Sequence, residues 1–171
     1  KDVCLRLCGS IMSQQLSVKV AHVIHQRFLD LFDDGHPTPE KILEMKPESL
    51  RAIGLSNAKV SYVRNVARFA VEKGMDRKTL SKMSNEEVIE YLTEIKGVGR
   101  WTVEMILMFT LGREDVFAVD DYGIQNAMLK LYQIRQKDKK KIKQKMLKIS
   151  ESWAPYKTYA CMHLWAYKDN Q

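Results

Sequence analysis

Apolar residues in this chain recur at three- and four-residue intervals almost from end to end, and the runs are bracketed by residues that start or stop helices. A period near 3.6 lines those groups along one stripe of a helix, whereas a half-buried strand needs the strict alternation that is nearly absent here. Ser17 heads a helix through Phe32, with Val20, Ile24, Phe28 and Leu31 at helical spacing, and Asp33-Asp34-Gly35 ends it. Thr38-Pro39-Glu40 and Lys46-Pro47-Glu48 each put proline at a first helical position, where its missing N–H has no intrahelical partner to lose, and Gly54 supplies the stop. Ser56 opens a helix carrying Val60, Val63, Val66 and Ala70, with Gly74 beyond its end. Ser84 and Glu87 form a capping box ahead of Val88, Ile89, Leu92 and Ile95.

Further along, an apolar helix from Arg100 to Leu111 closes at Gly112, and Asp120-Asp121 caps another that reaches about Tyr132, with Asp120 the expected N-cap. The segment from Lys137 to Lys148 holds seven lysines, yet Ile142, Met146, Leu147 and Ile149 keep the spacing of one buried face. It reads as a solvated helix. Pro155 starts a last helix carrying Tyr159, Met162, Trp165 and Ala166. No Gly- or Ser-rich linker, low-complexity tract or composition shift interrupts the pattern. The expectation is an all-α protein with two helical lobes.

Composition narrows the class. A chain of 171 residues buries roughly 70% of its unfolded surface without disulfide help, and 45% hydrophobic with 29% charged residues excludes disordered and fibrous classes. The richest apolar stretch, Met105 to Leu111, falls far short of the roughly 18 residues of a membrane span, so no membrane association is expected. No signal peptide is visible. Lys1 rather than Met stands first, in keeping with truncation at the amino terminus. Twenty-eight basic against 21 acidic residues leaves a net charge of +7, which favours a polyanionic partner, nucleic acid first. Three cysteines, Cys4, Cys8 and Cys161, with no Cys-x-x-Cys pair, suit reduced buried thiols in an intracellular protein.

The most informative stretch runs from Leu92 through Ile95-Lys96-Gly97-Val98-Gly99-Arg100 to Trp101-Thr102. Two glycines around one aliphatic residue, between two helices, form a hairpin at about 88–111 in which glycine permits backbone angles closed to other residues. The amides at the turn then stand at a helix start, where the dipole favours an anion such as a DNA phosphate. The plainer alternative is a tight connection between packed helices.

Twenty residues past Trp101 lies Asp121, in Val119-Asp120-Asp121-Tyr122-Gly123-Ile124. Together with the hairpin, Ser13-Gln14-Gln15-Leu16-Ser17 upstream and His163-Leu164-Trp165 downstream, this segment closely resembles the helix-hairpin-helix DNA glycosylase superfamily, in its alkylation-repair branch, the 3-methyladenine DNA glycosylase II type. The likeness runs from about Leu7 to Tyr167. It implies one catalytic unit over 1–171 with two helical lobes around a cleft. The implied function is hydrolysis of the N-glycosidic bond of an alkylated, cationic purine flipped out of double-stranded DNA. A non-catalytic helix-hairpin-helix DNA-binding module is the alternative.

The resemblance assigns the essential carboxylate to Asp121. As the base leaves, the deoxyribose gains oxocarbenium character, which a nearby ionised carboxylate stabilises. The reverse assignment, with Asp120 as the reactive acid, stays open. Cationic purines are recognised by stacking against electron-rich rings, and the family pattern points to Trp101, Met105, Tyr122 and Trp165 for the base pocket, with Trp153, Tyr156 and Tyr159 in second rank. DNA contacts fall to Gly97, Val98, Gly99, Arg100 and Lys96 at the hairpin and to Ser17 and Lys19 upstream. Most of the lysines from Lys137 to Lys148 are expected off the DNA. The wedge that fills the vacated stack is Gln15, with Leu16 the apolar alternative.

Related lyases carry a lysine nucleophile two residues after the hairpin's second glycine, where this chain has Trp101, so no Schiff base is expected and an abasic site is the product. No cofactor is required. The four-cysteine iron–sulfur cluster of other relatives has no counterpart, since Cys161 stands alone in the carboxyl-terminal half. A potassium or sodium ion is expected on the backbone carbonyls of Thr93, Ile95 and Val98. A monomer located with the DNA completes the reading.

Overall fold

The computed structural model describes residues 2–169. All regular secondary structure among the described residues is helical, and the chain divides into two compact units, Lys1–Ile106 and Leu107–Gln171. The division falls inside the second helix of the hairpin, at the point where α-helical bonding gives way to a π-helical turn.

The first unit holds α1 (Val3–Ser13), α2 (Val18–Leu29), α3 (Pro39–Glu44), α4 (Pro47–Ala52), α5 (Asn57–Lys73), α6 (Arg77–Leu80), α7 (Asn85–Thr93) and α8 (Arg100–Ile106). Its centre is the packing of α1 on α5, with α2 and α8 also against α1 and with α3 and α4 on α5. Leu7, Cys8 and Ile11 of α1 meet Val63, Val66 and Ala67 of α5 in a fully buried core. Sequence reasoning missed α1, although Val3/Cys4, Leu7/Cys8 and Ile11/Met12 repeat at four-residue steps and Asp2 accepts the Leu5 amide at 2.9 Å as its cap. Serine, glycine and cysteine between the larger groups dilute the stripe.

In the first unit the expected starts hold. Ser17, Thr38, Ser56 and Ser84 each accept an amide of the first turn, and both arms of the Ser84–Glu87 capping box form. Ends and faces differ in places. α2 stops at Leu29, and Phe32 beyond it turns back edge-on to Phe28 with ring centroids 5.3 Å apart. Val20, expected on the buried stripe, is exposed, while Ile24 and Phe28 are buried.

The second unit holds a π-helical turn (Leu107–Leu111), α9 (Tyr122–Leu131), α10 (Lys139–Ser150), a 3₁₀ turn (Glu151–Trp153) and α11 (Lys157–Asp169). α9 packs on α11. In α10, capped by Asp138, Met146 is buried, Ile142 and Ile149 are half-buried, and Leu147 is exposed, which corrects its expected burial. α11 starts at Lys157 rather than the expected Pro155 and buries Thr158, Cys161 and Leu164, while Tyr159 and Met162 are exposed. The reason is polar. The Thr158 hydroxyl accepts the Val116 amide at 3.2 Å and donates to the Arg113 carbonyl at 2.7 Å, while its own amide donates to the Glu114 carbonyl at 2.8 Å. These bonds satisfy an irregular segment that the apolar pattern does not register.

Candidate active site and nucleic-acid interface

In the first unit the hairpin joins α7 to α8, and Gly97 is required there twice over. Its φ is +106°, and an added Cβ would lie 2.3 Å from Cγ of the Tyr62 ring. Gly99 differs. Its φ is ordinary and a Cβ there would meet nothing within 4 Å, so the turn itself needs one glycine, not the expected two. Val98 is buried and its amide donates to the Ile95 carbonyl at 2.9 Å, which removes it from the expected phosphate donors. Among the described residues no backbone carbonyl takes the amides of Gly97, Gly99 or Arg100. Lys96 is exposed, and its carbonyl accepts from Asn65 Nδ2 at 3.2 Å.

Arg100 departs from its expected role. Its guanidinium makes a bidentate pair with Glu86 at 2.7 and 2.9 Å, and Nε donates to Glu104 at 3.1 Å. A planar fork meeting a carboxylate in this way is a strong, oriented contact. It ties the start of α7 to the start of α8, so Arg100 braces the hairpin, with its guanidinium taken up by two carboxylates. The Arg100 guanidinium holds the Glu86 carboxyl below the usual carboxylate range.

Upstream, Ser13 to Ser17 form the turn between α1 and α2. Gln15 is exposed at φ +58°, the left-handed region, and Leu16 beside it is exposed. Gln15 lines a pocket of about 410 Å³ with Ser10, Ser13, Gln14 and Trp101. Trp101 is 44% exposed. The first unit thus brings together the expected wedge residue and one expected pocket ring. Met105 is half-buried and outside that lining, while Ser17 accepts the Val20 amide at 3.4 Å and Lys19 is exposed.

In the second unit Asp121, not Asp120, is the N-cap of α9. Its Oδ1 accepts the Ile124 amide at 2.9 Å and the Trp165 indole N–H at 2.8 Å. Asp120 is exposed and both its oxygens lie 2.8 Å from Lys143 Nζ. The expected division of labour between the two acids is corrected: the cap and the residue of interest are the same aspartate. Two N–H donors on one oxygen fix the plane of the carboxylate.

Trp165 is half-buried with its ring tilted against Phe109, centroids 6.0 Å apart. Gly123 leaves room here, since a Cβ there would lie a tight 3.1 Å from Asp121 Oδ1 and 3.2 Å from Trp165 Cδ1. Tyr122 is 75% exposed. The second-rank aromatics pack on one another or on neighbours: Trp153 edge-on to Phe117, Tyr156 on Tyr159, and the Tyr159 hydroxyl on Glu114 at 2.8 Å. The roles of Phe109 and Lys143 escaped sequence reasoning because their contacts, with Trp165 and Asp120, are tertiary.

All three cysteines are buried free thiols, and the contact with Cys4 together with burial pushes the Cys8 thiol upward, away from reactivity.

Against known proteins, the chain is 41% identical over 167 residues to DNA-3-methyladenine glycosylase 1 of Schizosaccharomyces pombe, a match covering 96% of this chain and 72% of that one. A solved structure of the 3-methyladenine DNA glycosylase of the same organism, in complex with abasic DNA, superposes with a TM-score of 0.80 at 39% identity, covering 95% of this chain and 78% of that one. The DNA-3-methyladenine glycosidase of Bacillus halodurans gives a TM-score of 0.87 at 37% identity over 98% of this chain and 76% of that one. The family model described as HhH-GPD superfamily base excision DNA repair protein matches residues 8–152, a span holding the upstream turn, the hairpin and the Asp121 cap. With those three local structures and that match in agreement, the chain belongs to the helix-hairpin-helix HhH-GPD superfamily of base excision DNA repair proteins.

Proposed function

We propose that the protein is a monofunctional DNA glycosylase that removes alkylated, cationic purines from double-stranded DNA and leaves an abasic site. The observation that carries this reading is the Asp121 carboxylate, held by the Ile124 amide and the Trp165 indole in a chain of this family. Breaking the N-glycosidic bond sends the bonding electron pair away with the base, and a base that already carries positive charge accepts it readily. The sugar is left with oxocarbenium character. An oriented carboxylate stabilises that charge more in the transition state than in the ground state, and water then adds to the anomeric carbon and releases a proton.

The remaining residues take supporting roles in the reading. Trp101 stands where related lyases have their lysine, so water rather than an amine is the nucleophile. Trp101 in the first unit, and Tyr122 and Trp165 in the second, each offer an aromatic face of the kind a cationic base stacks on. Gln15, exposed on a left-handed backbone, is the wedge. Gly99 supports close approach of a DNA phosphate, because nothing within the protein forbids a side chain there. The amides of Gly97, Gly99 and Arg100 and the side chains of Lys96 and Lys19 are the proposed phosphate contacts. A potassium or sodium ion on the carbonyls of Thr93, Ile95 and Val98 would bridge to a phosphate; the Ile95 carbonyl, which already takes one N–H, has a second lone pair for it. The protein acts as a monomer wherever the DNA is kept.

The test is release of free base from DNA carrying 3-methyladenine or 7-methylguanine. Release by the wild type, strand breaks only after alkali, and no covalent adduct under borohydride are expected. Binding without release would leave the non-catalytic module, and a borohydride-trapped adduct would overturn the monofunctional assignment.

A further inference from the structure

The turn between α1 and α2 is held from outside itself. α1 ends at Ser13, and the carbonyls of its last turn need partners. The Gln14 amide takes that of Ile11 at 3.3 Å and the Leu16 amide takes that of Ser13 at 3.2 Å. The carbonyls of Met12 and Gln14 both accept from one group, Lys59 Nζ, at 3.0 and 2.6 Å. Lys59 stands in the first turn of α5, anchored by its own amide on the Ser56 cap at 3.3 Å. It is half-buried, and burial lowers its pKa from the ordinary lysine value. A single ammonium with three donors serves two converging carbonyls, and its charge sits at the negative end of the α1 dipole.

Between Gln14 and the Ser17 cap the chain has two exposed residues, Gln15 and Leu16. Gln15 is one of two non-glycine residues with positive φ among those described. A side chain in that conformation persists only where its surroundings impose it. Here the imposition comes from Lys59 on one side and the α2 cap on the other. We propose that Lys59 is a positioning residue for base flipping: by holding the Met12 and Gln14 carbonyls it keeps Gln15 left-handed, with its side chain set to enter the stack. This rests on the wedge reading of Gln15 given above.

The experiment is a double-mutant cycle on Lys59→Met and Gln15→Ala, read as single-turnover base release from DNA carrying 7-methylguanine, with thermal unfolding followed in parallel. Each single substitution should slow release about tenfold, and the double variant should be no slower than the slower single one, because the two act through one element. Losses that multiply in the double variant would mark Lys59 as a structural residue unconnected to Gln15 and would overturn the proposal. So would an unchanged rate in Lys59→Met beside an impaired Gln15→Ala, which leaves the wedge intact. An unchanged rate in Gln15→Ala removes the wedge and this proposal with it, while base release by the wild type still upholds the glycosylase reading. If Lys59→Met does not fold, Lys59→Gln, which keeps one amide donor, carries the same cycle.

Discussion

The hairpin turn of the first unit and the start of α9 in the second are built from the same parts: a glycine, a charged residue and the first turn of a helix. They use them in opposite ways. At the hairpin the charged side chain at the helix start, Arg100, is taken up by Glu86 and Glu104, and no backbone carbonyl among the described residues takes the amides of Gly97, Gly99 or Arg100. At α9 the backbone donor is taken up by Asp121, and what matters is the side-chain charge. The glycines differ likewise. Gly97 has a backbone angle that side chains rarely adopt and a ring against it, whereas Gly123 clears room for an indole to reach a carboxylate. Charge at a helix start therefore says little about role until its partners are known.

The comparison breaks most sharply at Asp121. Asp121→Asn keeps a capping group but loses the anion, so base release should fall by about 10²–10³-fold while affinity for abasic DNA is retained. Asp120→Asn, which removes only an exposed ion pair with Lys143, should have little effect in the same assay. Full activity in the Asp121 variant would end the assignment of chemistry to the α9 start.

Next come the glycines of the hairpin. Gly97→Ala drives a methyl group into the Tyr62 ring and should cost about 2–3 kcal/mol of stability in thermal or urea unfolding. Gly99→Ala should leave stability within about 0.5 kcal/mol and weaken DNA binding instead. Equal destabilisation by the two substitutions would show that the hairpin needs both glycines for itself.

Trp165→Phe keeps an aromatic ring, a smaller one, and removes the N–H. Loss of one hydrogen bond to a charged group is worth about 1.5 kcal/mol, so base release should slow about tenfold with abasic-DNA binding unchanged. A loss of binding instead would place the role of Trp165 in stacking alone.

The smallest effects lie at the hairpin brace. Lys96→Gln should flatten the slope of log affinity against log salt by about one unit, and Arg100→Gln should leave it nearly unchanged. The Glu86 carboxyl is held down in the folded state, so its contribution is present above the ordinary glutamate range and is lost as pH falls through the lowered folded value. Because the pair is largely exposed, the stability difference between wild type and Glu86→Gln should be only about 0.5 kcal/mol at neutral pH, vanishing in acid.

What could be read from the sequence was what neighbouring residues decide. Ser56, Ser84 with Glu87, and Thr38 before Pro39 announce helix starts because a cap bonds to an amide two or three residues away, and the hairpin glycine announces a turn because its backbone angle is a local matter. The order of helices and the family likeness followed from such signals. The tertiary structure alone decided which aspartate caps α9, that Arg100 is a brace, which face α11 buries, and how the Gln15 turn is held. Those outcomes depend on partners 14 positions away for Arg100 and Glu86, 23 for Lys143 and Asp120, 44 for Trp165 and Asp121, and 47 for Lys59 and Met12. A helical period fixes which residues share a face over a few turns. It carries no information about which distant donor meets a given carboxylate or carbonyl, because that is set by how whole helices pack.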